Sequence, residues 1–168
     1  MDDREGLPIT LSVLFIELAN RLNLNISGLG IPGHFLALYQ EPINNEETPE
    51  TERGKPAEII IDSFGGEIIN RKQAAKLSGR KLNELEFKPS EKKDIIKRIL
   101  RNLVQSAENE NDTKSQIRYL DTILAIAPED RYSRAQRAML FYISGEVNKS
   151  LTDIEFLLEN YPDSPENQ

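Results

Sequence analysis

The 168-residue chain contains no cysteine and one histidine, His34. Without a thiol there is no disulfide, no thiolate nucleophile and no cysteine-ligated zinc. No cluster of histidine and acidic residues has metal-ligand spacing either, and the glycine-containing stretch Ser63-Phe64-Gly65-Gly66 lacks the lysine and the following helix of a phosphate loop. No metal or cofactor is therefore expected. Long apolar runs are also missing: none approaches the ~20 residues that a membrane span requires. The first seven residues, Met1 to Leu7, are charged and do not read as a signal peptide. Basic charge is in deficit, the net charge being -7, which disfavours a phosphate backbone as partner. These absences lead to the expectation of a cytoplasmic protein with neither nucleic acid nor membrane as a partner.

What is present is enough apolar content, 38%, for a core. Residues 8–22 predict a helix, with Pro8 at its first position, where a missing N–H costs nothing. Leu11, Leu14, Phe15, Leu18 and Leu22 fall on one face, widened by Val13, Ile16 and Ala19, which predicts a buried helix. The chain opens almost directly into this helix and reads as a shortened start, with an upstream region expected. Residues 25–29 and 34–39 predict short strands punctuated by Gly30, Pro32 and Gly33. Residues 41–56 are polar and acidic and predict a solvated loop. Strands at 57–62 and 67–69 flank the Ser63–Gly66 turn, and 71–77 predicts a short helix.

After Pro89 the pattern becomes helical, with Ser90 as an expected cap and helices expected near 91–107, 115–126, 131–143 and 147–160. A boundary near 88 divides an α+β region, 1–88, from an all-α region, 90–164. Pro128 and Pro162 stand 34 residues apart, a period that resembles the tetratricopeptide repeat. Leu120 shares a register position with Ile154, and Ile123 with Leu157; Leu103 and Arg137 do not match, and neither unit has the tryptophan of that family. The plainer alternative is an ordinary bundle of helical hairpins. Leu120, Ile123, Phe141, Ile154 and Leu157 are expected to be buried between the helices. Two units fall short of the roughly three that stand alone, so they are expected to lean on the α+β half. The basic residues at 80, 81, 92, 93, 97 and 98 read as a solvated face, with Asp94 placed to pair with Arg98.

His34 opens one expected strand and Asp62 closes another. If the two pair antiparallel, start meets end and a carboxylate comes near the imidazole. A helix start precedes both along the chain. This order, with Gly6-Leu7-Pro8, Pro32-Gly33-His34-Phe35 and Asp62-Ser63-Phe64-Gly65-Gly66, resembles the SirB-type transglutaminase-like family, whose core is papain-related and is followed by tetratricopeptide-like helices. The resemblance covers nearly the whole chain. It implies a small α+β core, a buried helix plus a short antiparallel sheet, ahead of an all-α helical-hairpin region.

In that superfamily the nucleophile is a cysteine at a helix start, where the helix dipole lowers its pKa. Here the slot falls at Pro8 to Thr10, with Thr10 the nearest hydroxyl and Ser12 the next. The resemblance therefore implies a degenerate site of His34, Asp62 and Thr10, with Pro32, Gly33, Phe35, Gly65 and Gly66 around a binding crevice. The expected function is a non-catalytic interaction or regulatory module with a protein or peptide partner. The alternative is a hydrolase or acyltransferase in which His34 is the base, Asp62 orients it, and Thr10 or Ser12 is the nucleophile.

Overall fold

A computed structural model describes residues 8–41 and 58–162. The acidic loop expected over 41–56 lies, but for Glu41, outside the described residues, as do Gly6 and Leu7. Two compact units divide between Ile95 and Ile96. The first holds helix α1 (Pro8–Arg21), strands β1 (Ile26–Ile31), β2 (His34–Gln40), β3 (Glu58–Asp62) and β4 (Glu67–Ile69), helix α2 (Arg71–Leu77) and a 3-10 turn at Glu84–Phe87. Helix α3 (Lys92–Asn109) runs from it into the second unit, which continues with α4 (Thr113–Ile126), α5 (Arg131–Ile143) and α6 (Val147–Asn160). The chain is thus α+β, with a helical C-terminal region.

The sheet is an antiparallel meander in the order β1-β2-β3-β4. Alternation along the strands sorts its side chains onto two faces. One face carries Leu29, Ile31, Leu36, Leu38, Ile60 and Ile69, packed with Ala74 of α2 and Phe87. The other carries Ile26, Ala37, Tyr39 and Ile61, packed with Phe15, Ile16 and Ala19 of α1. Gly30, read from the sequence as punctuation, lies inside β1 and pairs with Phe35.

The expectation for α1 is corrected in one respect. The helix buries Ile9, Ser12 and Ala19, while Leu11, Leu14, Leu18 and Leu22 are exposed, Leu22 to 74%. Small side chains let the helix lie close to the sheet, which selects the Ser12/Ala19 side over the leucine side. Gly28 in β1 leaves room for the Phe35 ring: a Cβ there would stand 2.5 Å from that ring and 3.1 Å from Ile95.

Ser90 does not cap α3 as expected. Its N–H donates to the Gly28 carbonyl at 2.7 Å, and its hydroxyl accepts from the Gly30 N–H at 3.0 Å, so it ties the approach to α3 onto β1.

The helical region repeats in geometry. Asn111 and Gly145, 34 residues apart, both take left-handed φ, +56° and +78°. In each case the following N–H reaches back five residues, Asp112 to Ala107 and Glu146 to Phe141, both at 2.8 Å. This is the hydrogen-bonding pattern that closes a helix with a left-handed residue. Asp112 and Asp130 then cap α4 and α5 through side-chain bonds to Ser115 and Ser133 N–H groups.

Leu120, Ile123 and Phe141 are buried and Leu157 partly so, but Ile154 is 40% exposed. The inward position on α6 belongs instead to Asp153, 1% exposed. Arg137 and Arg134 of α5 bind its carboxylate, and one residue of helix, about 100°, turns Ile154 away.

Candidate functional site

His34 and Asp62 come from neighbouring strands. Ala37 pairs with Ile61, and one further step of the register sets Asp62 opposite Leu36. His34 is then the diagonal neighbour of Asp62 on the same face, a spacing of about 7–8 Å between backbones. His34 is partly buried and pairs with Ile31 across the Pro32-Gly33 turn, where Gly33 takes φ +74° and both turn residues are exposed. Proline followed by a glycine of positive φ is the residue pattern of a type II turn.

The Asp62 carboxylate has a local task. Its Oδ1 accepts hydrogen bonds from the Phe64 and Gly65 N–H groups, both at 3.0 Å. Gly66, at φ +71°, donates to the Asp62 carbonyl at 2.8 Å. A Cβ at Gly65 would stand 2.9 Å from Asp62 Oδ2. Gly65 and Gly66 are thus explained by the tight β3–β4 turn, which an aspartate at its first position nucleates.

The start of α1 lies beside the start of β2. Ser12, fully buried, donates its hydroxyl to the Phe35 carbonyl at 2.9 Å. Thr10 is exposed on the first turn. Phe35 is 4% exposed and belongs to the core. Alternation puts Phe35, Ala37 and Tyr39 on the α1 face, and His34 with Ile31 and Leu36 on the opposite one. The order helix start, histidine, aspartate runs along the chain as expected, and His34 opens the strand whose second residue accepts the Ser12 hydrogen bond.

A cavity of about 470 Å³ opens elsewhere, lined by residues of β3, β4 and the start of α2, among them Glu58, Ile68 and Arg71. Arg71 donates to Glu58 (2.6 and 3.1 Å) and Glu84 (2.6 Å), and its guanidinium lies 4.6 Å from the Phe87 ring centre. The Glu58 hydrogen bond, with Glu84 second, holds the guanidinium pKa above its ordinary value. This cluster joins β3, α2 and the 3-10 turn, and nothing in the spacing of the three residues announces it. Arg80, read as part of a solvated face, pairs with Glu86, which lowers the Glu86 pKa. Arg98 is half-buried, and desolvation lowers its pKa.

In the helical unit the outer side of α6 exposes Val147, Leu151, Ile154 and Leu158, at spacings of four, three and four residues. Glu155 and Glu159 are exposed beside them. Among the described residues no group of acidic and histidine side chains could hold a metal ion, and no helix is long and apolar enough to cross a membrane.

Comparison with known proteins agrees with the family reading. The chain is 28% identical over 167 residues to a UPF0162 protein of Xylella fastidiosa, covering 95% of the chain and 56% of that relative. It is 24% identical over 168 residues to a UPF0162 protein of Vibrio cholerae, 96% of the chain and 58% of the relative. It is 23% identical over 173 residues to Protein SirB1 of Salmonella typhimurium, again 96% and 58%. The chain therefore spans somewhat more than half the length of these relatives. No solved structure matches it significantly. The family model described as the transglutaminase-like superfamily matches residues 1–101, more than half of the chain, and the chain belongs to that superfamily.

Proposed function

We propose that the chain is a non-catalytic member of its superfamily, a cytoplasmic module that binds a protein partner through tetratricopeptide-like hairpins. The observation that carries this reading is the local hydrogen bonding of the candidate side chains, which serves the fold. Ser12, buried and bonded to the Phe35 carbonyl, is held as a packing residue, and Asp62 caps its own turn. The 34-residue recurrence of the left-handed helix ends at Asn111 and Gly145 supports the repeat reading.

The partner surface is the α6 stripe Val147, Leu151, Ile154 and Leu158. Its flanking Glu155 and Glu159 suit a partner helix with an apolar seam and basic flanks. The test is affinity purification from the source cell with three baits: wild type, His34→Gln, and Leu151→Glu/Leu158→Glu. Wild type and His34→Gln should retain the same partner, and the α6 variant should lose it. Hydrolysis of a glutamine amide or an activated ester by the wild type, lowered ~10²-fold or more in His34→Gln, would replace this reading with the acyl-transfer one.

A further inference from the structure

We propose that the leucine ridge of α1 is a self-association surface on which a second copy of this chain docks antiparallel, helix against helix. The ridge consists of Leu11, Leu14, Leu18 and Leu22, exposed to 40%, 56%, 51% and 74%. Three leucines on the outer face of α1, with Leu22 one residue past its end, are an unusual amount of apolar surface to leave in water. Charge identifies the occupant. The chain carries a net charge of -7, yet α1 contains one acid and one base, Glu17 and Arg21, and no other charged side chain. Two copies can therefore meet along this helix without the like-charge repulsion that α6, with Glu155 and Glu159 exposed beside its apolar stripe, would meet in pairing with itself.

Glu17 and Arg21 lie one turn apart and bond at 3.1 Å, both more than half exposed. At 100° per residue they fall together on one flank of the ridge. In an antiparallel pair related by a two-fold axis, like flanks face each other. With the axis near residue 19, Glu17 of each copy opposes Arg21 of the other, and Leu18 of each falls between Leu18 and Leu22 of the other. A parallel pair would bring the charged flank against the sheet side of the partner helix. The ridge is thus self-complementary in shape and charge, as a two-fold interface requires. Contact through one 14-residue helix is small, so the association is weak and reversible.

The experiment is sedimentation equilibrium of the full chain across roughly one micromolar to one millimolar. The mass should rise from 19.1 kDa toward twice that value. Leu18→Glu should hold the chain monomeric across the range with an unchanged circular dichroism melt, because Leu18 is 51% exposed. Glu17→Lys should weaken association about tenfold by setting lysine against Arg21 of the other copy, and Glu17→Lys/Arg21→Glu should restore it. A monomer at every concentration would overturn the proposal. So would a dimer indifferent to Leu18→Glu, or a charge swap that fails to restore what the single reversal removed.

Discussion

Arg137 grips the buried carboxylate of Asp153 with two nitrogens, Nε at 2.8 Å from Oδ2 and Nη2 at 2.6 Å from Oδ1. Arg134 adds a third donor at 2.9 Å and lies over the Phe156 ring, 3.7 Å from its centre. Arg137 also reaches Asp121 on α4 at 2.6 Å, so one arginine joins three consecutive helices. The Asp153 bond, before that to Asp121, raises the Arg137 pKa above its ordinary value.

Removing the anion takes away the acceptor of three guanidinium hydrogen bonds at a position that is 1% exposed. Asp153→Ala should therefore destabilise the helical unit by about 3–5 kcal/mol, read from urea unfolding followed by circular dichroism. A loss below about 1 kcal/mol would mean that the pair is not desolvated.

Leu120 is 1% exposed and packs with Val104 and Ile123. Leu120→Ala should cost about 2–5 kcal/mol in the same measurement. Ile154→Ala, at a 40% exposed position, should cost well under half as much. Equal costs would place Ile154 inside.

The contrast between these two residues shows how much was legible in the sequence. Helices over 131–143 and 147–160 were readable to the residue, because turns and prolines punctuate them. The inward side of α6 was not, because an aspartate in the middle of an apolar pattern reads as solvent-facing. Only its arginine partners, 16 and 19 residues away in sequence, make its burial favourable. On α1 apolar residues occur almost all round, so periodicity could not say which side meets the sheet; Ser12 and Ala19 decide it by their small size. The His34 and Asp62 positions were legible as strand ends. The turn-capping task of Asp62 needed the observed N–H directions.

Asp62→Asn should change stability by less than about 0.5 kcal/mol, because the asparagine oxygen still accepts from Phe64 and Gly65, while Asp62→Ala should cost about 1 kcal/mol. Thermal melts of both variants check this. An Asp62→Asn variant as unstable as Asp62→Ala would show that the charge, and not the turn, is what the position requires.

Acid should act on the surface caps in a defined direction. Glu86 is held below the ordinary carboxylate range by Arg80 first and by the Asn83 N–H second; Asp112 is lowered by its Ser115 bonds. Both folded-state pKa values are depressed, so their stabilisation is present above the unfolded pKa and lost as pH falls through the folded one. The advantage of wild type over Glu86→Gln and Asp112→Ala should be full above about pH 5 and shrink steadily toward about pH 2. Melting temperatures across that range test it, and a difference that grows on acidification would contradict the assignment.

The Ser90 hydroxyl that accepts from Gly30 closes a chain segment of 60 residues, while the ties between α4, α5 and α6 join residues 12 to 32 apart. Loop closure makes distant pairings slow and local ones fast. Refolding should accordingly run in two kinetic phases, the helical hairpins assembling first and the sheet locking afterwards, with Ser90 among the last contacts to form.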